Sequence, residues 1–301
     1  MREYDIINPN EIGKVRFMLE ILKAILFGIV EGVTEWLPIS STGHMILLDE
    51  IVSLNVSEEF FKMFEVVIQL GAILAVVILY WSTLWPFTMK REKVKDSIAV
   101  RNRVVWKEGA LAMWIKIVIA CIPAAIVGVL FDDKIDELFY HPIPVALALI
   151  IVGVIFIIIE FLNGKKEPTI NSIAEIGYNT AFIIGLFQLI AAIFPGTSRS
   201  GATIIGALLI GVSREVAAEF TFFLAVPVMF GASLLKIVKY MAEGVSMTGM
   251  EAFILLIGCV VAFAVSIFVI RFLMSYIKKH DFKVFGWYRI VLGIIVILVL
   301  Q

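Results

Sequence analysis

Charged side chains are scarce in this sequence, and their scarcity indicates its class. Only 17% of the 301 residues are Asp, Glu, Lys or Arg, whereas soluble domains contain about 25%. The net charge is −1, so the chain lacks the basic balance of a nucleic-acid-binding protein. With 61% hydrophobic residues and a mean hydropathy of +1.00, it is predicted to be a polytopic membrane protein, each spanning helix needing roughly 20 apolar residues.

Cysteine is also scarce, and the amino-terminal residues lack the features of a leader peptide. The two cysteines, Cys121 and Cys259, each lie within an apolar run, which excludes a disulfide framework or a cysteine metal motif and favours a packing role. Residues 1–16 lack the apolar core of a cleavable signal. We therefore expect the first hydrophobic segment to direct membrane insertion.

The apolar segments predict an all-α fold with six transmembrane helices and two re-entrant hairpins. His44–Leu54 and Ala202–Gly211 are too short to cross a bilayer, at about 15–18 Å of helix against a core of about 30 Å. Each follows a longer segment, Phe17–Leu37 or Ile176–Phe194, across a loop rich in Pro, Ser, Thr and Gly. A helix–loop–helix hairpin that enters and leaves on one side satisfies these lengths. The six predicted spans are Phe61–Phe87, Ala110–Phe131, Ile143–Leu162, Val216–Tyr240, Met250–Met274 and Val284–Leu300.

Lys and Arg in the loops predict the orientation. Residues 88–109 hold seven of them, so this loop is expected in the cytoplasm, together with the loops at 164–175 and 278–283. The acidic loop at 132–142 is expected outside. Both termini then lie outside, the first hairpin enters from the outside, and the second enters from the cytoplasm. Lys14, Arg16 and Lys23 argue against this topology, but the loop at 88–109 outweighs them.

The chain is predicted to be a single membrane domain, residues 1–301, with an internal repeat. Repeat one covers about 17–131 and repeat two about 176–300, with helix 143–162 between them. Three spanning helices separate the hairpins, so the second copy is inverted, as in many transporters. Chance similarity between two apolar segments is the alternative. At one constant offset, the alignment pairs Glu31 with Gln188, Pro38 with Pro195, Ser40 with Thr197, and Ser41 with Ser198.

Two carboxylates stand out at the first hairpin. Glu31 and Glu35 are four residues apart and project from one helix face. An ionisable residue within a membrane is a functional candidate by default. The pair could hold a divalent cation, or one carboxylate could act as a general base. The alternative is a pair exposed to water at the membrane surface.

Hydroxyl groups and a histidine follow these carboxylates. Pro38 is expected to end the helix, and Ser40, Ser41 and Thr42 then occupy the hairpin tip. Gly43 is expected to permit the turn, and His44 could transfer a proton. The alternative for the hydroxyls is capping of the next helix.

The second loop has the composition of an anion site. Gly196 and Gly201 allow close backbone approach, and the amides from Ser198 onward open a short helix. Arg199 adds a planar fork that suits phosphate oxygens; its alternative is an ion pair with Glu31 or Glu35. We expect the two loops to meet and form one phosphate site.

Glu65 and Gln69 form another polar pair, four residues apart in a predicted spanning helix. They either line the cavity of the expected phosphate site or form hydrogen bonds with a neighbouring helix.

Three motifs in order resemble a known family. Residues 31–44 (EGVTEWLPISSTGH), 64–72 (FEVVIQLGA) and 195–203 (PGTSRSGAT) are similar to those of integral-membrane undecaprenyl-diphosphate phosphatases, also called bacitracin-resistance proteins. The segment pattern fits from about Phe17 to the end of the chain.

The resemblance implies a phosphatase that hydrolyses undecaprenyl diphosphate and so recycles the lipid carrier of cell-wall sugars, with a divalent cation, magnesium or calcium, as cofactor. It implies a plasma-membrane location and a polyprenyl diphosphate lipid as partner; a homo-oligomer is compatible with it. The charge bias and the segment lengths predict that the hairpin tips meet in a cavity open to the outside. A transporter that moves the lipid phosphate across the membrane is the alternative. The implied site consists of the acidic and metal-binding pair Glu31 and Glu35, the nucleophile Ser41, His44, the phosphate-binding Arg199, and the supporting residues Ser198, Ser200 and Thr203.

Overall fold

The computed structural model describes residues 9–93, 100–164 and 166–300. Twelve helices and one β-hairpin make up the described part of the chain. In order they are α1 (Pro9–Thr34), α2 (Ser41–Ile51), α3 (Glu58–Val67), α4 (Gln69–Leu79), α5 (Trp81–Leu84), β1 (Phe87–Lys93), β2 (Val100–Trp106), α6 (Ala110–Phe139), α7 (Pro142–Asn163), α8 (Tyr178–Ile193), α9 (Arg199–Leu209), α10 (Arg214–Ala242), α11 (Gly249–Ile277) and α12 (Lys283–Val299). A 3₁₀ turn covers Ile173–Glu175.

The helices confirm an all-α membrane protein. Five helical stretches in the described residues are long and apolar enough to cross a membrane: α3 with α4, α6, α7, α10 and α11. The sixth predicted span corresponds to α12, whose 17 residues give about 26 Å of helix, at the short end of the spanning range. The count of six and the re-entrant course of the two hairpins therefore stay predictions.

Helix boundaries differ from the predicted segments at two places. Helix α1 starts at Pro9 and ends at Thr34, so it includes part of the polar start and ends before Pro38. Helix α6 continues to Phe139, through the acidic segment predicted as a loop. Those acidic residues can remain helical because their charges are compensated: Lys236 and Lys239 of α10 form ion pairs with Asp132, Asp133 and Asp136, at 2.7–3.0 Å.

The predicted span Phe61–Phe87 is also interrupted. Helix α3 ends at Val67 and α4 begins at Gln69. The break releases two carbonyls, and side chains of other helices bond to them: the Ser233 hydroxyl donates to Val66 at 3.1 Å, and the Cys259 thiol to Val67 at 3.7 Å. The span therefore keeps its carbonyls satisfied within the protein, as apolar surroundings require.

The basic loop after α5 contains the only strands of the described residues. Strands β1 and β2 pair antiparallel, with Phe87 opposite Trp106. The prediction of an all-α chain therefore omitted one short hairpin. Strand β1 reads FTMKREK and strand β2 reads VRNRVVW. Neither alternates apolar and polar residues along its whole length, which is the pattern that predicts a half-buried strand.

The two halves of the chain exchange helices. Helix α1 packs along α11 and helix α8 along α6, while α7 packs against α12. Close approach depends on small residues: a Cβ at Gly28 of α1 would lie 2.7 Å from the Gly258 carbonyl oxygen of α11. Each hairpin is therefore held by a helix from the opposite half, which brings the two loops to the middle of the molecule.

The core around the loops is aromatic. Trp36, which follows Glu35, is fully buried and packs edge-to-face on Phe222 of α10, with ring centroids 5.3 Å apart. Phe220 and Phe223 of α10 are also fully buried. This packing fixes the first loop against α10 and so sets the direction of Glu35.

Candidate active site

The two loops end in matching helix caps. Ser40 and Ser198 are the residues before α2 and α9, and both have a positive φ, 73° and 70°. Each side chain accepts a hydrogen bond from the amide three residues on, at Gly43 (3.4 Å) and Gly201 (3.1 Å). Capping, the alternative for the hairpin hydroxyls, is thus the observed role of Ser40. The strained turn lies at Ser40, so the expectation that Gly43 permits it is wrong.

The caps also correct the predicted alignment of the repeat. Ser40 corresponds to Ser198, where the constant offset paired it with Thr197. Both loops start from a proline, but the second is one residue longer before its capping serine. Gly196 takes up the extra residue with φ 89°, and a Cβ there would lie 2.6 Å from the Val145 carbonyl oxygen. The close backbone approach expected at Gly196 is therefore present.

Glu35 lies at the centre of the site. One carboxylate oxygen accepts a hydrogen bond from the Ser41 hydroxyl at 2.8 Å, and the other pairs with Nη2 of Arg199 at 3.0 Å. Arg199 also donates from Nη1 to the Thr221 carbonyl at 2.9 Å. Glu35 and Ser41 are buried, so both bonds lie in a region of low dielectric. The ion pair expected of Arg199 as an alternative therefore forms, with Glu35 and across 164 residues of sequence.

A cavity of about 200 Å³ opens onto this group. The amino ends of α2 and α9 both reach it, and the first amides of a helix have no partner within that helix. Small apolar residues of α6, α8 and α10 form its other wall, including Ala124, Ala192 and Ala232. Its polar lining consists of Glu35, Ser40, Ser41, Thr42, Gln69, Gln188, Ser198 and Arg199. Two helix starts and an arginine fork form a suitable site for an anion.

Three other residues that were predicted to contact phosphate are buried and make contacts with the loops and α10. Ser200 is 1% exposed, and its hydroxyl bonds to the carbonyls of Glu35 (3.2 Å) and Leu37 (3.5 Å). Thr203 is fully buried and bonds to Arg199, Ser200 and Thr221. Gly201 is buried at the start of α9, against its own capping serine. Of the smaller predicted residues, Ser198 and Gly196 line the cavity.

His44 is not part of the cavity lining. Its Nδ1 lies 2.7 Å from the Ser40 carbonyl, and its Nε2 lies 2.7 Å from the Tyr288 hydroxyl. A carbonyl only accepts, so Nδ1 carries the proton, and in the neutral ring Nε2 accepts from Tyr288. The two rings are also stacked, with centroids 5.6 Å apart. In this arrangement His44 fixes the carbonyl of Ser40, and the only side chain bonded to Ser41 among the described residues is Glu35.

Glu31 lies one turn before Glu35, whose amide bonds to the Glu31 carbonyl at 3.0 Å. Glu31 is 1% exposed, and neither of its carboxylate oxygens has a hydrogen-bond partner in the described part of the chain. The side-chain oxygen of Gln188, on the cavity wall, is likewise unpartnered. No group of three or more His, Cys, Asp or Glu that could hold a metal occurs among the described residues. A carboxylate with unpartnered oxygens, such as Glu31, is compatible with Mg²⁺, which is commonly bound by one or two carboxylates together with substrate phosphates.

Glu65 and Gln69 line different cavities. Gln69 faces the cavity that contains Ser41. Glu65 accepts a hydrogen bond from the Tyr140 hydroxyl at 2.9 Å and lines a second pocket with Asp49, Glu50 and Lys62. The two alternatives for this pair therefore both apply, one to each residue.

The sequence interpretation missed Thr221, Tyr288 and Arg289, all of which bond to site residues. Arg289 lies in the predicted span Val284–Leu300, where a single arginine in apolar sequence is a functional signal. Thr221 and Tyr288 carry no such signal, because threonine and tyrosine are common in spanning segments.

Comparison with known proteins gives a consistent result. The sequence pattern of the family described as "Bacitracin resistance protein BacA" matches residues 24–295. A protein named undecaprenyl-diphosphatase from Desulfitobacterium hafniense is 62% identical over 93% of this chain and 96% of its own length. Proteins of the same name from Acetivibrio thermocellus and Enterococcus faecalis are each 58% identical over 93% of this chain, covering 98% and 97% of their own lengths. By the extent of the match and by these identities, the chain belongs to the BacA family of bacitracin resistance proteins.

Proposed function

We propose that this protein is an undecaprenyl-diphosphatase. It hydrolyses undecaprenyl diphosphate to undecaprenyl phosphate and inorganic phosphate, which recycles the cell-wall lipid carrier and confers resistance to bacitracin. The observation that carries this proposal is the chain of bonds from Ser41 through Glu35 to Arg199 at a cavity with two helix amino ends. It combines a hydroxyl nucleophile, a carboxylate base and a phosphate-binding cation.

The first step is an attack by the Ser41 hydroxyl on the terminal phosphorus. A serine hydroxyl is a weak nucleophile until a base accepts its proton, and the Glu35 oxygen is 2.8 Å away. The new bond joins the Ser41 oxygen to phosphorus, and the anhydride bond breaks. The bridging oxygen leaves with undecaprenyl phosphate, whose negative charge requires no proton from the protein.

Arg199 changes partner when the substrate binds. A phosphate dianion competes with Glu35 for Nη2, while the bond from Nη1 to Thr221 keeps the guanidinium in place. The fork and the amides of α2 and α9 then stabilise charge on the equatorial oxygens. In the second step, water attacks the phosphorus and the bond from phosphorus to the Ser41 oxygen breaks. Glu35 returns its proton to that oxygen, and the protons of the water leave with the inorganic phosphate.

We propose Glu31 and Glu35 as the protein ligands of a divalent cation, magnesium or calcium. The unpartnered, buried oxygens of Glu31 support this assignment, because a buried carboxylate without a partner is strongly disfavoured. Such a cation would neutralise phosphate charge when bound. Direct attack by water, with Ser41 acting only through its bond to Glu35, is the alternative chemistry.

The proposal includes the finer membrane arrangement. Helix pairs α1–α2 and α8–α9 are re-entrant hairpins of an inverted repeat, the loop at 88–109 is cytoplasmic, and the cavity opens to the extracytoplasmic side of the plasma membrane. The short lengths of α2 and α9, each of 11 residues, support this, as does the exchange of α1 and α8 between the halves.

One assay tests the function. Purified protein in detergent should release phosphate from undecaprenyl diphosphate, and a chelator should reduce the rate, with added magnesium or calcium restoring it. Protein with Arg199→Ala is the matched control. Equal phosphate release by that variant, or none by the wild type with either cation, would contradict the proposal.

A transporter of polyprenyl phosphate is the second candidate, and the exchanged helices of the two halves favour it. Hydrolysis in detergent, where no membrane separates two sides, distinguishes the two. A transporter would move the lipid phosphate across the membrane of vesicles but would release no phosphate from undecaprenyl diphosphate.

A further inference from the structure

Arg289 is an unusual arginine for a membrane helix. It lies in α12 and is fully buried. Within the described residues it forms no ion pair, and its Nε has no hydrogen-bond partner. A buried charge without a counter-ion is strongly disfavoured, so such a residue calls for a functional explanation.

The other two nitrogens of Arg289 bond to both loops of the site. Nη1 donates to the Pro38 carbonyl at 3.3 Å, and Nη2 donates to the carbonyls of Gly196 and Thr197 at 2.9 and 2.8 Å. Pro38 lies between Glu35 and Ser41 in the chain, and Thr197 directly precedes the cap of α9. One planar guanidinium therefore joins the segment that carries the nucleophile to the segment that carries Arg199.

We propose that Arg289 is a positioning residue that keeps the two loops in register during the reaction. This inference rests on the proposed phosphatase function. In the absence of substrate, the bond between Arg199 and Glu35 also joins the loops, but phosphate competes for that bond. The bonds of Arg289 go to backbone carbonyls instead of the side chains that take part in the reaction, so they persist when substrate binds.

This role predicts an effect on turnover more than on substrate affinity. Arg289→Met removes all three bonds, and we expect kcat to fall by at least about 30-fold, since a misplacement of about 1 Å can cost on the order of 10²-fold. KM should change by less than about threefold, because the groups that contact the phosphate remain. Arg289→Lys keeps the charge but has a single nitrogen for two loops, so we expect a loss of at least about tenfold in kcat.

A second arginine, Arg214 of α10, provides the control; its side chain is partly buried, with 34% exposed. Arg214 bonds through Nε and Nη2 to Glu160 at the junction of α7 and α10, at 2.5–3.2 Å, and does not line the cavity. Arg214→Lys should lower the unfolding temperature yet leave kcat within about twofold of the wild type. A loss of kcat similar to that of Arg289→Lys would overturn the proposal, because it would show that general destabilisation is sufficient.

Hydrogen–deuterium exchange gives a readout that does not depend on activity. Amides of residues 36–41 and 194–199 should exchange faster in both Arg289 variants than in the wild type or Arg214→Lys. Unchanged exchange in both loops, a kcat within about twofold of the wild type in Arg289→Lys, or an effect on KM alone would each overturn the role. If Arg289→Met does not fold, Arg289→Lys decides. If the wild type does not hydrolyse the lipid, the proposed function fails and the exchange rates still decide the role of Arg289.

Discussion

Replacing Ser41 by alanine is the most direct test of the proposed chemistry. The substitution removes one oxygen and one hydrogen bond, the 2.8 Å bond to Glu35. A hydrogen bond to a charged group contributes about 1.5–3 kcal/mol. Glu35 keeps its ion pair with Arg199, so we expect a loss of unfolding free energy near the lower end, about 1.5 kcal/mol. This lowers the unfolding temperature by a few degrees, and the variant should remain folded.

The effect on activity should be far larger than the effect on stability. If Ser41 is the nucleophile, kcat should fall by at least about 10³-fold, which corresponds to about 4 kcal/mol in the barrier. Initial rates of phosphate release at saturating undecaprenyl diphosphate measure this. Binding is checked separately, since ligand at about 100 times its Kd stabilises a protein by about 2.7 kcal/mol. Undecaprenyl phosphate should therefore raise the unfolding temperature of variant and wild type alike.

Thr34→Val is the matched control for Ser41→Ala. Thr34 is a buried hydroxyl residue at the end of α1, and among the described residues its hydroxyl bonds only to its own helix, at the Val30 carbonyl, 2.7 Å away. Its loss should cost about 1 kcal/mol of stability and leave turnover within about threefold. A rate for Ser41→Ala within about tenfold of the wild type would refute the nucleophile, and direct attack by water would replace it. A phosphoserine trapped at position 41 would exclude direct attack.

The other predictions concern charge and topology. Arg199→Lys keeps the charge but loses the planar fork that bonds to Glu35 and Thr221 through two nitrogens, so phosphate release should fall at least about tenfold. Near-normal turnover would exclude a phosphate-binding role of this fork. Glu31→Gln removes an unpaired buried carboxylate, so it should raise the unfolding temperature in the presence of chelator by about 2 °C or more. Phosphate release by this variant should no longer respond to added cation. A variant that keeps the full response would exclude Glu31 as a ligand. In a chain without its native cysteines, Glu108→Cys should react with an impermeant thiol reagent only after lysis, whereas Glu137→Cys should react in intact cells. The reverse pattern would invert the topology.

Much of the candidate site could be predicted because its residues are charged or polar, whereas the sequence around them is apolar. Glu31, Glu35 and Arg199 are charges in apolar sequence, and the membrane makes such charges costly unless they have a function. The two loops could be predicted as well, because their prolines, glycines and hydroxyl residues interrupt hydrophobic segments that are otherwise continuous. The helix bounds of α7, α10 and α11 follow the predicted segments within three residues for the same reason.

The pairing of these residues could not be predicted. The sequence offered two partners for Arg199, Glu31 and Glu35. The ion pair forms with Glu35 because of the way α9 packs against the end of α1. The direction of His44 is set by Tyr288, which lies 244 residues away. The same holds for Asp132, whose helical environment depends on lysines of α10. Periodicity reports local structure, whereas these contacts arise from the packing of distant helices.

The strain in the loops connects fold and function. Ser40 and Ser198 adopt a positive φ without being glycine, which costs on the order of 1–3 kcal/mol each and persists only when surrounding contacts determine it. For the first loop these contacts come from the opposite half, because Ser200 and Arg289 both bond to it. The second loop is bonded by Arg289 of its own half. In this conformation each serine caps a helix whose amino end faces the cavity. The first loop therefore depends on residues of the second half for its shape, and the proposed phosphate site lies where the two halves meet.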